Sequence, residues 1–553
     1  MLQYVTPSTR PPFLTTFLTG LLVGLFGVAS GAFAAGYRVE RLIPEAALHG
    51  ANGMHFDAKG DLIVGSMMSG TVSRLDIDSG ELETLVGSPR GIADDLAIGP
   101  DGLIVWTTMP MGIVHAMRPG GKVQKIATDL PMINSIYFTQ DGRLFAAQVT
   151  EDEGNLYELD PTGEQPPRIV IEGLLGLNGF EITDDDILYG PLMNAGAVIR
   201  IDLKTMEVTE IADGFTRPVA VNLDSAGYIY VVDIVTGELT RVDPETGAKK
   251  LVVQLEPPID NLVISDDDLI YVSHHCHDGI SEIDPADGRV RQVISGSIGM
   301  PGGAILIEYD GRETLFVAGM MCQSLIDIET GDVKTPPRKG DVIWSSWLDR
   351  KGDIVVLSSF AFGQIQWIDA NTGAPTKTLT GFSNPYAIKI MPDDSVLVAE
   401  YGTGRILRLH PPYDDEPEIV TENLGGPLGF VLADDGVLYV TEAADGVVSA
   451  IDIDDGRRMV IRDGLDQPEG IALMHDGRLV LAEVGAKRII AIDRDGGKGD
   501  LTVLASDLPI GLPPFMGPPK TFLPTGVIVG ADGIIYVTAD VIHSVLKLTP
   551  VAD

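Results

Sequence analysis

The chain has 553 residues, with 79 acidic and 39 basic side chains and a net charge of −40 near neutral pH. A surface this negative repels nucleic acid and anionic lipid head groups, so we expect no nucleic-acid partner. It suits small cations, cationic partners or a neutral ligand, and it also serves solubility alone. The length exceeds that of one ordinary domain, unless the fold is built from repeats.

Residues 1–35 have the composition of a targeting segment. Arg10 is the only charged residue before Arg38, and an apolar run extends from Phe13 to Val28. The small residues that follow, Ala32-Phe33-Ala34, are typical of a signal-peptidase site. The apolar run is close to the lower length limit of a spanning helix, so an uncleaved N-terminal anchor is the alternative. In either case we expect an exported protein, periplasmic or secreted, with no other membrane span.

A unit of about 40–44 residues recurs twelve times along the chain. Each unit has an Asp-Gly type of turn after its first β-rich run, as in Asn52–Asp61 (NGMHFDAKGD) and Glu469–Arg478 (EGIALMHDGR). Four short alternating strands per unit, without a helical period, are typical of a propeller blade. Because propellers have about 4–8 blades, the sequence predicts an all-β tandem of two six-bladed β-propellers with four-stranded blades. A seven-plus-five split is the alternative.

The predicted domains are the signal or anchor segment 1–35, a first propeller 36–299 and a second propeller 300–553. The last unit stops after its third strand, so we expect Tyr37–Pro44 to pair with that strand and close the blade. A Pro-rich insertion, Leu508–Leu523, is predicted to form a lid or an interaction loop. Cys276 and Cys322 are the only cysteines, and whether they pair stays open at this point.

Residues at the start of each first strand surround the central channel of a propeller. In the first propeller these positions are Asn52, Asp94, Asn134, Asn178, Val219 and Asp260. Five oxygen-bearing side chains around one channel suit a hard cation such as Ca²⁺. Asn and Asp also cap turns, which is the structural alternative. The equivalent positions of the second propeller are mostly not metal ligands.

The ends of the second strands should lie on the same face of the ring. His274 is placed there, and its pKa near neutrality suits a proton shuttle. Met67 and Met109 begin the loops that follow second strands, where methionines would form an adaptable apolar rim or pack beneath the loops. Glu400, Glu442 and Glu483 would form a separate cation site in the second propeller or hold the adjacent loops.

These segments resemble the regucalcin/gluconolactonase-like propellers of the senescence marker protein type, and the repeats also resemble NHL and virginiamycin B lyase repeats. Leu177–Tyr189 (LNGFEITDDDILY) is similar to the family's segment with a metal-binding Asn, which is Asn178 here. Pro258–Leu262 (PIDNL) is similar to the segment whose Asp binds metal and acts as the base, here Asp260. Asn134 matches a substrate-side Asn, whereas Asn52 stands where the family has a Glu ligand.

The resemblance implies a calcium-dependent lactone or ester hydrolase at the first channel, with another divalent cation as an open alternative. It implies metal ligands Asn178, Asp260 and Asp94, substrate contacts at Asn134, Asn52, Met67 and Met109, and catalysis by Asp260 and His274. The rival function is a non-catalytic extracytoplasmic propeller that binds a small ligand or a protein. A virginiamycin B lyase-like lyase is a lesser alternative. The expected partner is a small neutral molecule, a lactone or ester substrate, or a protein.

Overall fold

A computed structural model describes residues 36–150, 154–340, 342–495, 501–513 and 523–551. All of them belong to one compact unit, Ala32–Asp553. The predicted signal or anchor segment and residues 514–522 of the predicted lid lie outside the described residues. Within the described residues, no helix has both the length and the apolar character that a membrane crossing needs.

The alternating pattern of each repeat forms one four-stranded antiparallel sheet. A tight turn joins the first two strands, as at Gly60, whose φ of 86° suits glycine. The second strand is the most deeply buried, and every residue of Leu62–Ser66 is buried. The fourth strand is the most exposed, as in Lys249–Gln254. Sheets of this kind, repeated along the chain, make the fold a β-propeller, as the sequence predicts.

The first half of the chain forms six sheets. Their strands are β2 (Ala51–Phe56), β3 (Leu62–Ser66), β4 (Thr71–Leu75) and β5 (Leu82–Val86); β6 (Leu96–Ile98), β7 (Ile104–Thr108), β8 (Ile113–Met117) and β9 (Gln124–Ala127); β10 (Ile133–Phe138), β11 (Leu144–Gln148), β12 (Asn155–Leu159) and β13 (Arg168–Glu172); β14 (Glu181–Ile182), β15 (Ile187–Leu192), β16 (Ala197–Asp202) and β17 (Glu207–Ala212); β18 (Pro218–Leu223), β19 (Ile229–Asp233), β20 (Glu238–Val242) and β21 (Lys249–Gln254); β22 (Ile259–Ile264), β23 (Ile270–His274), β24 (Gly279–Asp284) and β25 (Arg289–Ile294).

The second half forms six more. Their strands are β26 (Pro301–Tyr309), β27 (Arg312–Gly319), β28 (Ser324–Asp327) and β29 (Val333–Lys334); β30 (Trp347–Lys351), β31 (Ile354–Ser359), β32 (Gln364–Asp369) and β33 (Pro375–Thr380); β34 (Pro385–Ile390), β35 (Val396–Glu400), β36 (Arg405–Leu409) and β37 (Glu418–Thr421); β38 (Pro427–Leu432), β39 (Val437–Glu442), β40 (Val447–Asp452) and β41 (Arg458–Arg462); β42 (Pro468–Leu473), β43 (Leu479–Glu483), β44 (Arg488–Ile492) and β45 (Thr502–Ala505); and β46 (Val527–Val529), β47 (Ile535–Ala539) and β48 (Ser544–Pro550) with β1 (Tyr37–Arg41). Short 3₁₀ turns occupy Met109–Met111 and Val484–Ala486.

Contacts between first strands order these sheets in space. Strand β2 contacts β6, and the succession continues through β10, β14 and β18 to β22, which contacts β2 again. In the second half, β26, β30, β34, β38, β42 and β46 follow one another, and β46 contacts β26. We call these two sets of sheets the first circle and the second circle. Strand β1 pairs with β48 from Tyr37 opposite Pro550 to Arg41 opposite Leu546, so the N-terminal strand covers the edge of the last sheet.

A β-bulge at the start of the first strand shapes the channel. The register of β2 against β3 shifts between Ala51 and Met54, so Asn52 and Gly53 leave the regular ladder. The freed N–H of Gly53 donates to the carbonyl oxygen of Asp94 in the next sheet, at 2.8 Å. The bulge therefore supplies a hydrogen bond that joins neighbouring sheets.

Glycine is required at this junction because the two backbones approach closely. A Cβ atom on Gly53 would lie 2.5 Å from the Cα atom of Asp95. In the second circle, Gly303 and Gly470 donate the equivalent hydrogen bonds to the sheets that follow them, at 2.9 and 3.0 Å. The glycine that repeats at this point of the sequence unit thus reflects sheet-to-sheet packing.

The two circles are joined near residues 276–278. Cys276 of the first circle and Cys322 of the second form a disulfide, with Cα atoms 5.2 Å apart. The buried carboxylate of Asp278 accepts the N–H of Gly50 at 2.6 Å, and its other oxygen lies 2.5 Å from Nδ1 of His543 in the last sheet. Covalent and polar contacts therefore hold this side of the two circles together.

An apolar cluster extends the same junction. Its buried members are Met67, Met68 and Ile92 of the first circle and Met300, Met320, Met321, Phe360, Tyr386, Leu428, Ala443 and Leu523 of the second. Because the two methionines after β3 are covered by side chains of the second circle, they contribute to the core between the circles. This is the packing alternative that the sequence left open for them.

Gly53→Ala tests the close approach of neighbouring sheets. The added methyl group would meet the backbone of Asp95, so we expect the free energy of unfolding to fall by about 1–3 kcal/mol. Gly87→Ala is the control, because nothing lies within 4 Å of its added methyl group. Chemical denaturation measures both variants. Equal stability of Gly53→Ala and the wild type would contradict the observed packing.

Candidate functional site

Three of the six predicted channel positions come together in the first circle. Asn52 donates from Nδ2 to Oδ1 of Asp94 at 3.2 Å, and Asn261 donates from Nδ2 to Oδ1 of Asn52 at 2.9 Å. The charge of Asp260 acts on Asp94 across this group. The bulged strand starts therefore gather two carboxylates and two amides from three neighbouring sheets.

Asp94 is the most strongly perturbed carboxyl group of this set. Burial raises its pKa to about 8, and the charges of Asp260 and Asp95 act in the same direction. Its Oδ1 atom accepts from Asn52, whereas Oδ2 is buried and has no hydrogen-bond partner among the residues that the structure describes. A buried carboxylate oxygen in this state costs free energy unless it binds a proton or a cation. Asp94 is therefore the group whose environment most favours a cation.

Asp260 is paired with a histidine that the sequence did not single out for catalysis. Nε2 of His275 lies 3.2 Å from Oδ2 of Asp260. Burial lowers the pKa of His275, but the charge and hydrogen bond of Asp260 outweigh it and raise this pKa above its usual value.

His274, the predicted proton shuttle, points elsewhere. Its Nε2 atom lies 2.8 Å from the hydroxyl oxygen of Ser281 in the same sheet, and its ring stacks on His277. Burial lowers its pKa to about 3, with further lowering by His277 and His275. His274 is the last residue of β23, whereas His275 begins the turn that follows, and it is His275 that contacts Asp260.

Asn178 and Asn134 do not join the Asp94 group through their hydrogen bonds. The amide oxygen of Asn178 accepts the Ser135 hydroxyl and the Gly179 N–H, both at 2.9 Å. Asn134 is partly exposed, and its Nδ2 atom lies 3.8 Å from Sδ of Met109. Asn134 and Met109, which are both predicted to contact the substrate, are therefore neighbours in the structure.

Met67 has a different environment from Met109. It is 4% exposed and belongs to the apolar cluster between the circles. The prediction that Met67 contacts substrate at an open channel mouth is therefore corrected, because the second circle covers this side chain. Near Met67, the end of the channel at which the first strands begin is therefore next to the second circle.

The three glutamates of the second circle hold loops. Glu400, Glu442 and Glu483 each accept a backbone N–H from the preceding loop, at 2.6–2.9 Å. Each also pairs with an arginine of the same sheet. These contacts satisfy the carboxylates within their own sheets, which is the loop-holding alternative considered for them.

The donor set fits a hard divalent cation only in part. Carboxylate oxygens of Asp94 and Asp260 are suitable ligands for Ca²⁺. The amide oxygen of Asn178 already accepts two hydrogen bonds, so it does not fit the role that the family resemblance implies. Throughout the described ranges, no group of three or more His, Cys, Asp or Glu side chains is arranged to hold a metal ion. Amide oxygens or water would have to complete the coordination.

Beyond this polar layer the channel of the first circle widens into a cavity of about 1040 Å³. Its walls come from the later parts of the first strands and from the turns that follow them. Asp95 and Asn261 line it, and each directly follows a residue of the Asp94 group. The cavity therefore opens at the end of the channel opposite the strand starts.

The sequence contained a signal for some residues that were missed. Asp95 and Asn261 occupy the position after the strand start, one register step from Asp94 and Asp260. At Asp260 and Asn261 a bulge takes both consecutive residues out of the ladder, and Asp94 and Asp95 directly precede β6, whereas simple alternation assigns only one residue of each pair to the channel. His275 was missed because it lies in the turn after β23, where strand alternation does not apply.

Because burial and neighbouring carboxyl groups raise the pKa of Asp94, we expect the free energy of unfolding to decrease as the pH rises. The folded protein keeps a proton on Asp94 up to about pH 8, whereas the unfolded chain releases it near the ordinary value of 3.8. Between these values folding takes up a proton. The free energy of unfolding then decreases by up to about 1.4 kcal/mol per pH unit for this group.

Asp94→Asn should remove this contribution and flatten the decline between about pH 5 and pH 8. Urea unfolding with a chelator present measures the slope. Asp78→Asn, at an exposed position, is the control and should retain the wild-type slope. An unchanged slope in Asp94→Asn would show that Asp94 is not held protonated by burial.

Residues 37–222 match the family model of the SMP-30/Gluconolactonase/LRE-like region, and no curated protein matches the chain. A solved structure described as a candidate gluconolactonase has 15% identity and a TM-score of 0.37, and the match covers 48% of this chain and 93% of that one. For virginiamycin B lyase from Staphylococcus aureus the values are 13%, 0.24, 68% and 95%.

The extracellular domain of a one-component system from B. thetaiotaomicron has 11% identity and a TM-score of 0.33, over 94% of this chain and 83% of that one. The family match covers the strand starts at Asn52, Asp94, Asn134 and Asn178, and it ends before Asp260. Residues 37–222 are thus similar to the SMP-30/gluconolactonase/LRE-like region, which confirms the resemblance predicted from the sequence.

Proposed function

We propose that the first circle binds a divalent cation, Ca²⁺ from the nature of its donors, and hydrolyses a lactone or an ester. The observation that carries this proposal is the buried Oδ2 atom of Asp94, which no described residue hydrogen-bonds and which is close enough to Asp260 to be affected by its charge. A cation at this point would satisfy that oxygen and offset the repulsion between the two carboxylates. The family match of residues 37–222 supports the reaction class.

Asp94 and Asp260 would hold the cation, which when bound would polarise the substrate carbonyl. The contact with His275 would orient Asp260. Asp260 can then accept a proton from the attacking water. Asn134, which is partly exposed, would orient the substrate beside Met109.

At the level of the chain, we propose that the two circles are two six-bladed propellers, with the boundary between residues 299 and 300. The closed successions of first strands support this division. We also propose export, to the periplasm or the medium, on the basis of the apolar segment and small residues before Arg38. A small lactone or ester is the proposed partner.

Non-catalytic binding of a ligand or protein is the second candidate, and a specific observation favours it. Met67 and Met68 pack against the second circle, so part of the predicted channel mouth is covered. Asn178 also favours the non-catalytic function. Its amide oxygen, which the family resemblance assigns to the metal, accepts a hydrogen bond from Ser135 instead. A covered polar site can bind a cation for stability alone.

Asp260→Ala separates these possibilities. Saturating Ca²⁺ should raise the melting temperature of the wild type, because a ligand at about 100 times its Kd stabilises the folded state by about 2.7 kcal/mol. The Asp260→Ala variant should lose this shift together with hydrolysis of a lactone and ester panel. Asp349→Asn, which changes a carboxyl group of the second circle, is the matched control and should retain both.

The outcomes distinguish the proposals. Calcium stabilisation without turnover of any substrate in the panel would favour the non-catalytic function. Turnover that survives Asp260→Ala would remove the catalytic assignment. If neither Ca²⁺, Mg²⁺ nor Mn²⁺ stabilises the wild type, the cation site itself is wrong.

A further inference from the structure

The cavity of about 1040 Å³ contains a second set of polar groups, separate from Asp94 and Asp260. We propose that this cavity binds a small organic cation that carries ammonium groups, with Glu181 and Tyr137 as its principal contacts. This proposal does not rest on the hydrolase or on the divalent cation. It concerns the opposite end of the same channel.

Glu181 brings a carboxylate into the cavity wall. One of its oxygens accepts the N–H of Leu223 from the next sheet at 2.8 Å. Burial raises its pKa to about 7, although this hydrogen bond and one from Asn222 act to lower it. Glu181 lines the cavity and remains partly exposed to it. A bound cation would favour its ionised form.

The charges that line the cavity favour a cationic ligand. Its acidic lining residues are Asp57, Asp78, Asp95, Glu181, Asp266, Asp267 and Glu282. The lysine and arginine of the lining are Lys59 and Arg74, and Arg74 is engaged by Asp57 and Glu83 at 3.2 and 2.7 Å. A cleft with this imbalance attracts positive charge from solution.

Aromatic rings supply the rest of the recognition. The ring of Tyr137 lies 6.4 Å from that of His55 and 6.5 Å from that of Phe180, and all three residues line the cavity. Faces of aromatic rings attract ammonium groups. Burial lowers the pKa of His55, so this ring stays neutral and does not repel a cation.

The Tyr137 hydroxyl is a polar group without an assigned task. Tyr137 lines the cavity, and the charge of Glu181 reaches its hydroxyl group. With burial, that charge raises the pKa of Tyr137 well above its usual value. The hydroxyl oxygen can accept a hydrogen bond from an ammonium group held by Glu181.

Size and donor arrangement argue for an organic cation in this cavity. Its volume of about 1040 Å³ lies at the upper limit of small-molecule sites, about 300–1,000 Å³, and far above that of a single ion. No metal-holding group of His, Cys, Asp and Glu exists among the residues described. A carboxylate with ring faces around it is the chemistry that recognises alkylammonium groups.

The second circle offers a matched comparison for Glu181. Asp349 of β30 accepts the N–H of Ile390 from the next sheet at 2.7 Å, which is the same inter-sheet bond that Glu181 makes with Leu223. Asp349 does not line the cavity. Both carboxyl groups join neighbouring sheets, but only Glu181 lines the cavity. Comparing variants of Glu181 and Asp349 therefore separates the effect of losing an inter-sheet hydrogen bond from the effect of losing a ligand contact.

Calorimetric titration with 1,4-diaminobutane tests the proposal on the full chain. The wild type should bind it, with affinity that weakens as salt is added. Glu181→Gln should weaken binding by about tenfold or more, since a charge-assisted hydrogen bond is lost. Tyr137→Phe should weaken it while keeping the ring. Asp349→Asn should bind as the wild type does, and so should Asp260→Ala, even though that variant disables the proposed hydrolase.

Three results would overturn the inference. One is the absence of diamine binding by a folded wild type. Another is equal binding of the neutral analogue 1,4-butanediol, which would make the cavity a site for neutral polar molecules. The third is undiminished binding in both Glu181→Gln and Tyr137→Phe. If Glu181→Gln fails to fold, Tyr137→Phe decides, because it removes only a hydroxyl group.

Discussion

The bulge at the start of the first strand is the constraint on which the channel depends. It takes consecutive residues such as Asn52 and Gly53 out of the ladder and frees an N–H to bind the next sheet. The same distortion turns polar side chains toward the axis. Joining sheets into a circle and lining the channel with Asn and Asp are therefore two results of one local geometry.

That geometry concentrates negative charge where water is scarce. Asp94, Asp95 and Asp260 occupy neighbouring places, and burial raises the pKa of Asp94 to about 8 and that of Asp95 to about 7. Protons, cations and the facing imidazole of His275 are the means by which a protein offsets such crowding. Apolar residues at these positions would cost less free energy than three buried carboxyl groups. The functional proposals therefore centre on this site.

The second circle changes the surroundings of this site. Its methionines and aromatic residues cover Met67 and Met68, and the Cys276–Cys322 disulfide fastens the adjacent side. The strand-start end of the first channel is thus partly covered, whereas the cavity lined by Glu181 and Tyr137 opens at the other end. Two ends of one channel consequently offer two different chemical environments.

The sequence by itself determined the all-β blades and their turn glycines, because strand alternation and turn chemistry are local. It also predicted that Tyr37–Pro44 pairs with the last sheet, of which the structure pairs Tyr37–Arg41. Tertiary structure alone decided that Cys276 pairs with Cys322, that Met67 is covered, and that His275, not His274, meets Asp260. These outcomes depend on bulge register and on contacts between residues distant in the chain. The periodicity of the sequence encodes neither the bulge register nor these distant contacts. The burial and the electrostatic surroundings of each side chain are set by neighbours from other sheets.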